Sequence, residues 1–276
     1  MVTAFADATR RARTIGVVVA ALGCVAFGAP AAAQDTAALP SASGEAGPWF
    51  VRITPYAWLP SVSGSTRGDN IRDDRRIPSV SIDKDFSDIL SDLDFAGMIF
   101  GTVRYERIGL LVDLDYVSLS VDGNLSGPFR TRYHTNLEAL VATVGATARV
   151  VDEPKLGVDL LVGTRILSLW LDTDFRGQGP LGASRGVSDS ATIVDGLVGV
   201  RADVELGDGF SLFGYADIGA GNSDLTWQVI GAVQYSFSNS VSGAIGYRYL
   251  GYDFSGHAPL DDLALYGPIL GVTIRF

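Results

Sequence analysis

The feature that most constrains the fold of this chain is an alternation of apolar and polar residues with a period of two. At the C-terminal end, Leu270, Val272 and Ile274 alternate with Thr273 and Arg275. A period of two places successive side chains on opposite faces of a β-strand. Because the same alternation recurs along most of the chain, it predicts a protein built from strands that are apolar on one face.

Ten segments with this pattern are predicted strands. They lie at residues 49–63, 93–106, 109–121, 135–150, 157–172, 191–205, 209–221, 225–237, 240–254 and 264–276. The connections alternate in length, apart from a tight turn near 222–224: the short ones lie at 107–108, 152–156, 206–208 and 238–239, and the long ones at 64–92, 122–134, 173–190 and 255–263. Short turns at one end and long loops at the other are typical of outer-membrane β-barrels. We therefore predict an all-β, transmembrane, antiparallel up-and-down β-barrel of ten strands, or of eight if two segments are loops. An even number of strands places both termini at the periplasmic end.

The alternative fold is a soluble β-sandwich. The two folds differ in the environment of the apolar face of each strand. A sandwich buries its apolar face, whereas a membrane barrel turns that face outward and carries polar residues inside. Arginine and aspartate recur at matched positions in strand after strand, which fits a narrow interior where opposite charges pair. The candidate lumen-lining residues are Arg52, Tyr56, Trp58, Arg104, Asp113, Asp115, Arg165, Asp195, Arg201, Asp217 and Arg248.

The composition excludes several other classes of protein. The calculated pI is 4.6 and the formal charge is −10, which argues against a protein that wraps nucleic acid, because that requires a basic surface. A single cysteine excludes a disulfide framework and a cysteine-based zinc site. A hydrophobic content of 47% excludes general disorder.

The N-terminal segment has the pattern of a secretory signal peptide. Arg10, Arg11 and Arg13 precede an apolar run at residues 15–27, and Ala31-Ala32-Ala33 supplies the small residues required before a cleavage site. The run is shorter than the roughly 20 apolar residues of a membrane-spanning helix, the alternative interpretation.

The predicted organisation is a signal peptide at 1–33, a flexible periplasmic segment at 34–48, and an outer-membrane β-barrel at 49–276. Cleavage near Ala33 would remove the single cysteine, Cys24, and leave 18 basic and 30 acidic residues, a formal charge of −12. The predicted location is the outer membrane of a Gram-negative bacterium.

Several ordered motifs of the mature chain resemble those of a largely uncharacterised family of proteobacterial outer-membrane β-barrel proteins. The similar segments are Tyr56-Ala57-Trp58-Leu59-Pro60 with Gly64, Phe86-Ser87-Asp88-Ile89-Leu90 with Asp94-Phe95, Ser223-Asp224-Leu225-Thr226-Trp227, Gly246-Tyr247-Arg248-Tyr249-Leu250, and Gly267-Pro268, Leu270-Gly271 and Arg275-Phe276. This resemblance implies a barrel fold and an outer-membrane location, and it implies no catalytic activity. The last strand also resembles the C-terminal signal recognised by the outer-membrane assembly machinery, with Leu270, Val272, Ile274 and Phe276 as the signal residues.

Two histidines are the first candidates for catalysis. His134 and His257 fall near the outer end, and Asp253, Asp261 and Asp262 lie close to His257 in the sequence. General acid–base chemistry depends on a geometry that spacing alone does not supply. No motif of the ten-stranded outer-membrane proteases or of the lipid A deacylases is present, so we predict no catalytic residues. A surface hydrolase remains the least favoured alternative.

Acidic residues are concentrated at the predicted outer end. They are Asp69, Asp73, Asp74, Asp83, Asp85, Asp88, Asp92, Asp94, Asp172 and Asp174. Carboxylates at this density suit Ca²⁺ or Mg²⁺, but no calcium-loop spacing is present, and solvated loop charge is the preferred explanation. Ser87 is the predicted N-cap of a short helix at 88–93, a candidate lid.

The predicted function is non-enzymatic, with a structural or surface-interaction role exerted through the loops 64–92 and 173–190. Arg67, Arg72, Arg75 and Arg76 lie in the first of these loops among its acidic residues; local ion pairing is the preferred interpretation, and contact with lipopolysaccharide phosphates is the alternative. The predicted partners are outer-membrane lipid, lipopolysaccharide and the assembly machinery; we predict no nucleic acid, no metal and no cofactor, and favour a monomer. The main alternative is a narrow channel for small polar solutes, constricted by Tyr56 and Trp58.

Overall fold

The computed structural model describes residues 48–66, 81–84, 86–125, 131–177, 184–254 and 260–276. The predicted signal peptide at 1–33 and all but the last residue of the predicted segment at 34–48 lie outside these residues. So do His257 and the four arginines of the first predicted loop.

Twelve strands and one short helix make up the described part of the chain. They are β1 (Trp49–Trp58), β2 (Ser61–Thr66), β3 (Ser81–Lys84), α1 (Phe86–Ser91), β4 (Leu93–Tyr105), β5 (Ile108–Leu125), β6 (Thr131–Glu153), β7 (Leu156–Gly177), β8 (Ser184–Gly207), β9 (Phe210–Gly221), β10 (Leu225–Ser236), β11 (Val241–Asp253) and β12 (Leu260–Arg275). No helix among these residues is long and apolar enough to cross a membrane.

The strands form a closed antiparallel barrel. Each of β4 to β11 pairs with the next strand in the sequence, and β1 closes the barrel by pairing with both β4 and β12. Since β1 and β2 both pair with β12, they form one interrupted strand, and the barrel has ten strands around its wall. The predicted fold is therefore confirmed.

The break between β1 and β2 lies at Leu59 and Pro60. The path of the chain at this break requires glycine at the neighbouring position 267. The Leu59 amide donates to the Pro268 carbonyl at 3.0 Å, which keeps the chain against β12. A Cβ atom on Gly267 would lie 2.1 Å from the Leu59 carbonyl oxygen. Only glycine therefore permits this close approach.

One end of the barrel, here called the turn end, has short connections at 106–107, 154–155, 208–209 and 237–240. Glu106 and Asp208 have positive φ angles of 51° and 53°, and Gly207 and Gly209 flank Asp208 with φ of 95° and 81°. These left-handed conformations allow adjacent strands to reverse direction within two or three residues.

Four strands are longer than predicted at the opposite end. Pairing between β5 and β6 continues to Leu125 and Thr131, and pairing between β7 and β8 continues to Arg176 and Ser184. Much of the predicted loops 122–134 and 173–190 is therefore strand. We call residues 117–125, 131–139, 171–177 and 184–190 the extension.

The extension reverses the polarity of the barrel wall. Between the turn end and Trp170, residues such as Leu114 and Val162 on the outer face are apolar. Beyond Trp170 the outer-face positions are polar, including Asp122, Asn136 and Asp172, while the inner-face positions include Leu119, Leu137 and Leu171. The extension therefore has a polar outer face and a largely apolar inner face, which also includes Thr135, Thr173 and Asp189.

The first predicted loop also contains regular structure. β2 and β3 form a hairpin that extends the wall beside β12. The predicted helix at 88–93 differs from α1, which begins at Phe86 and ends at Ser91. Ser87 is thus inside the helix and is not its N-cap, and Leu93 already belongs to β4 because it pairs with Leu119.

Two bands of aromatic residues ring the outer face. The band near the turn end includes contacting pairs Trp49–Tyr105 and Phe210–Tyr235. The other band includes Phe95–Tyr116 and the stack of Trp227, Tyr249 and Tyr266. On β4, ten residues separate Phe95 from Tyr105. At about 3.3 Å per residue and a tilt of about 40°, this spacing corresponds to about 25 Å of barrel height.

Candidate functional site: the filled interior

The predicted lumen-lining residues lie inside the barrel. Ten of the eleven are buried and Tyr56 is half-buried. Their contacts join strands that are not neighbours in the sheet, such as Arg52 of β1 with Asp203 of β8 and Arg248 of β11 with Asp113 of β5. These contacts cross the interior, and the buried side chains form two ion networks and two apolar layers.

The first group, the turn-end network, consists of Arg52, Arg149, Asp159, Arg201 and Asp203. Asp203 binds Arg52 at 2.7 Å and Arg201 at 2.6 Å, and thus bridges two guanidinium groups. Asp159 accepts two bonds from Arg149, at 2.6 and 3.3 Å, and lies 3.7 Å from Arg201. Charge-assisted, bidentate contacts of this kind are among the strongest that arginine makes.

Phe50 also belongs to this end of the barrel. Its ring lies 5.1 Å from the guanidinium carbon of Arg52 and 5.2 Å from that of Arg104. Two cations therefore contact one aromatic ring. Arg104 in addition donates to the Glu106 carbonyl at 2.7 Å, which holds the adjacent turn.

An apolar layer separates the two ion networks. It contains Phe100, Leu111, Leu161, Leu197, Tyr215 and Ile230, all buried. Leu161 and Leu197 share the inward face of their strands with the arginines and aspartates, so the inward face is mixed in polarity.

The second group, the central network, surrounds Arg248. The Arg248 guanidinium lies 3.0 Å from carboxylate oxygens of both Asp113 and Asp115. It donates to the Tyr56 hydroxyl at 2.5 Å and to Gln228 Oε1 at 2.8 Å. The Tyr56 hydroxyl is also 2.7 Å from Asp113 and 2.6 Å from Asp115. One guanidinium on β11 is therefore joined to three other strands, β1, β5 and β10.

Arg165 is the second cation at this depth. Its guanidinium is fully buried and pairs with Asp217. It also donates to Thr143 Oγ1 at 3.2 Å and to Thr226 Oγ1 at 3.0 Å. Because all these partners are buried, the pair has little contact with water.

A second apolar layer lies beyond the central network. It contains Trp58, Met98, Val141, Leu167, Leu250, Tyr252 and Phe254. The Trp58 ring covers the Arg248 guanidinium at 4.4 Å, so this layer is in contact with the central network. Trp58 therefore packs against a cation within the filled interior.

Asp195 binds a turn, whereas the buried carboxylates described above pair with arginines. Its two oxygens accept bonds from the backbone amide of Ser223 at 2.9 Å and from the Ser223 hydroxyl at 2.8 Å. These bonds hold the turn between β9 and β10 against β8.

Sequence reasoning missed several participants in these layers. Met98 accepts a hydrogen bond from the Trp58 amide, Tyr215 packs in the first apolar layer, and Thr143 binds Arg165. The alternation along each strand places Met98, Tyr215 and Thr143 on the inner face. Their residue types, however, do not distinguish them from residues on the outer face.

A small internal cavity remains between the two networks. Its volume is about 50 Å³, and Arg52 and Arg248 both line it. Apolar side chains, including Phe100, Phe213 and Ile230, form most of the remaining wall. This space is large enough for a few water molecules or a small ion.

His134 is the one histidine within the described residues, and it lies on the outer face of the extension. Its Nδ1 atom is 3.0 Å from Asp122, and its register partner on β7 is Asp174. Both His134 and Asp122 are substantially exposed. Within the described ranges, no three His, Cys, Asp or Glu side chains are grouped closely enough to hold a metal ion.

Comparison with known proteins gave structural similarities alone. No protein-family model matches the sequence, and no curated protein matches it. The outer-membrane protease OmpT of Escherichia coli aligns over 85% of this chain and 100% of its own, with 9% identity and a TM-score of 0.48. The translocator domain of the autotransporter NalP of Neisseria meningitidis aligns over 84% and 90%, with 14% identity and a TM-score of 0.43. The attachment invasion locus protein Ail of Yersinia pestis aligns over 83% and 99%, with 11% identity and a TM-score of 0.33.

Proposed function

We propose that this protein is an outer-membrane β-barrel with the turn end in the periplasm and the extension outside the cell. The support is the outer face of the wall, where exposed residues such as Val162, Val198 and Ile245 are apolar between the two aromatic bands. A band of about 25 Å flanked by aromatic girdles matches the hydrocarbon thickness that such barrels span. In water, the same surface would be an extensive exposed apolar patch.

We further propose a non-enzymatic, structural or surface-interaction role. The observation that carries this proposal is the contrast between the interior, where side chains stack in four layers, and the extension, where paired strands continue beyond the outer aromatic band. The extension presents polar and charged side chains outward, including Asp122, His134 and Asp172. A rigid projecting sheet is suited to contact with other molecules at the cell surface.

The orientation can be tested by labelling single cysteines in intact cells. Asp122→Cys in the extension should react with a membrane-impermeant maleimide, and Asp208→Cys in a turn should react only after the outer membrane is permeabilised. The unsubstituted protein is the control, because its one cysteine, Cys24, lies in the predicted signal peptide. Labelling of Asp208→Cys alone in intact cells would reverse the proposed orientation, and labelling of neither would contradict a surface role for the extension.

Two partners follow from this placement: outer-membrane lipid around the wall, and the assembly machinery at the last strand. Leu270 and Val272 of β12 face outward and are exposed, and Phe276 follows the end of the strand. Deletion of Phe276 should lower the amount of assembled barrel in cells while leaving the refolded protein nearly as stable. Normal assembly of the truncated protein would contradict the signal.

A narrow channel for small polar solutes is the second candidate function, and the internal cavity favours it. Arg248 lies between this cavity and the outer apolar layer, so it occupies the position of a closed constriction. Planar bilayers containing the protein should then show small conductance steps, and Arg248→Ala should enlarge them. Electrical silence of both proteins would exclude the channel.

A further inference from the structure

We propose that the edge of β8 at residues 184–193, here called the free edge, binds an extended peptide segment of another protein. The segment adds to the sheet as an antiparallel strand and alternates basic and apolar residues. Such a partner deepens the surface role proposed above and depends on the extension lying outside the cell.

The free edge arises because the two neighbours of β8 end at different heights. β7 pairs with β8 as far as Ser184, whereas β9 pairs with it only as far as Asp195. Residues 184–193 therefore have β7 on one side and, among the residues that the structure describes, no strand on the other. At about 3.3 Å per residue, ten residues make an edge of about 33 Å.

The hydrogen bonds of Val194 show which backbone groups the free edge presents. Its amide donates to Asn222 Oδ1 at 3.0 Å, and its carbonyl accepts from the Asn222 amide at 3.1 Å. In an antiparallel sheet, every second residue directs both groups to the same side. The residues that share this direction, beyond the last residue of β9, are Gly186, Ser188, Ser190 and Thr192. A row of such groups is a template for another strand.

The Ser190 amide agrees with this direction. It donates to Oδ1 of the adjacent Asp189 at 2.8 Å, so its partner is a side chain and not the backbone of β7. A carbonyl of an added strand can take the place of that carboxylate oxygen.

The free edge lacks three features that commonly block strand addition. It contains no proline and no lysine, and its pairing with β7 shows no β-bulge. On its outer face, residues 186–192 supply only glycine, serine and threonine. Long side chains of an added strand can therefore lie across them.

A second copy of this chain does not fit the free edge within one membrane. Two upright barrels are related by rotation about the membrane normal. Strands tilted by about 40° then cross at about 80°, which excludes an antiparallel ladder. A peptide segment has no such constraint.

The outer face beside the free edge selects basic residues. Asp174 and Asp172 of β7 are exposed and lie opposite Gly186 and Ser188. A Cβ atom on Gly186 would lie 3.2 Å from Asp174 Oδ1, so this carboxylate leans over β8 towards the free edge. An added strand would lie about 4.8 Å beyond β8. A lysine or arginine on its outer face can therefore reach the Asp174 carboxylate.

The inner face selects apolar residues at the intervening positions. Val187, Ala191 and Ile193 lie on this face of β8, with Asp189 as the exception. Every second side chain of an added strand would lie beside them.

The test measures binding of a fluorescent octapeptide that alternates lysine and valine to the refolded barrel in detergent, by fluorescence anisotropy. Opposed residues of an antiparallel pair share a face, so the lysine amides should face β8. N-methylation of every lysine amide should weaken binding at least about tenfold, because the donors are lost. N-methylation of every valine amide should leave the affinity unchanged. Equal affinities of the two methylated peptides would overturn the proposal, because attraction between charges alone predicts that result.

Variants of the protein locate the site. Ser188→Pro removes a donor of the free edge and leaves the pairing with β7 intact, so it should abolish binding, whereas Ser188→Thr should not. The folded band on gels establishes that each barrel has closed. Unchanged affinity of Ser188→Pro would place the peptide elsewhere. Asp174→Asn should weaken the lysine peptide several-fold but not a peptide with threonine for lysine; no effect on either would refute a basic partner.

Binding in detergent does not depend on the orientation of the barrel in cells. Absence of binding, together with labelling of Asp122→Cys from outside, would refute the peptide site and keep the surface placement. Binding together with labelling of Asp208→Cys alone would confirm the peptide site and contradict the surface role.

Discussion

Removal of the Arg248 guanidinium should destabilise the barrel more than any substitution at an exposed arginine or lysine. Each of its two carboxylate contacts is 3.0 Å long, with charge centres about 4 Å apart. At an effective dielectric constant of about 20, each pair is worth about 4 kcal/mol, or about 8 kcal/mol together before desolvation. Desolvation of the three groups offsets part of this attraction, and the expected net loss for Arg248→Met, which leaves two buried carboxylates without their cation, is about 3–5 kcal/mol. Methionine retains most of the side-chain volume, so the loss is electrostatic.

The measurement is equilibrium unfolding of the refolded barrel in urea, followed by tryptophan fluorescence and by the shift of the folded band on gels. Lys155→Met, in an exposed turn, is the control and should change the free energy of unfolding by less than about 0.5 kcal/mol. The triple variant Arg248→Met, Asp113→Asn, Asp115→Asn should recover much of the lost stability, because no uncompensated carboxylate remains. A loss below about 1 kcal/mol for Arg248→Met, or a triple variant no more stable than the single one, would refute the reasoning.

Three further predictions concern the wall and one turn. Val198→Arg should lower the stability of the lipid-embedded barrel by about 2–4 kcal/mol relative to Val198→Leu, as measured by unfolding from liposomes, because an arginine near mid-membrane faces hydrocarbon. Gly267→Ala should reduce the fraction of barrel that closes, seen as a weaker folded band on gels, since its Cβ would lie 2.1 Å from a backbone oxygen; Gly231→Ala, with open space around the new Cβ, is its matched control. Asp195→Ala should cost about 1–3 kcal/mol and speed hydrogen exchange at Ser223, because that amide loses its acceptor.

Each of these three has an outcome that contradicts it. A Val198→Arg barrel as stable as the leucine variant would argue that this face does not meet lipid. Equal folded fractions for the two alanine variants would mean that the wall at Gly267 can move to accept a methyl group. Unchanged exchange at Ser223 would show that Asp195 does not hold the turn.

The strand count and the sidedness of the wall could be predicted from the sequence because both depend on period alone. Between the aromatic bands, apolar and polar residues alternate without interruption. In β10, for example, every second residue from Thr226 to Gln234 is buried. The same parity placed Arg52, Asp113 and Arg248 inside the barrel.

The partners of those residues could not be predicted, because they depend on the tilt and closure of the sheet. Arg248 meets Asp113 across the interior, although 135 residues separate them. Asp195 shares the parity of the ion-pairing aspartates and yet binds a turn. The odd or even position of a residue in its strand determines which face its side chain occupies. It does not determine which residue that side chain contacts across the barrel.

The lengths of the strands beyond Trp170 were underestimated for a related reason. Residues 117–125 and 171–177 continue the alternation, but the apolar positions move to the inner face, and Asp, Asn and Ser occupy the outer one. A strand that is identified by its apolar outward-facing residues is therefore predicted to end too early. The helix at Phe86–Ser91 was misplaced because its six residues are too few to establish a period of 3.6.

The reversal of polarity at Trp170 has a mechanical consequence for how the barrel sits in a bilayer. Were the protein to sink by the length of two strand residues, Asp172 and Asn136 on the outer face would enter hydrocarbon; were it to rise by the same amount, apolar residues next to the outer aromatic band, such as Leu114, would meet water. Displacement in either direction raises the free energy, so the polarity of the wall fixes the depth of the barrel in the bilayer. In a bilayer that is too thin or too thick, the lipids rather than the protein must then deform to match this fixed height.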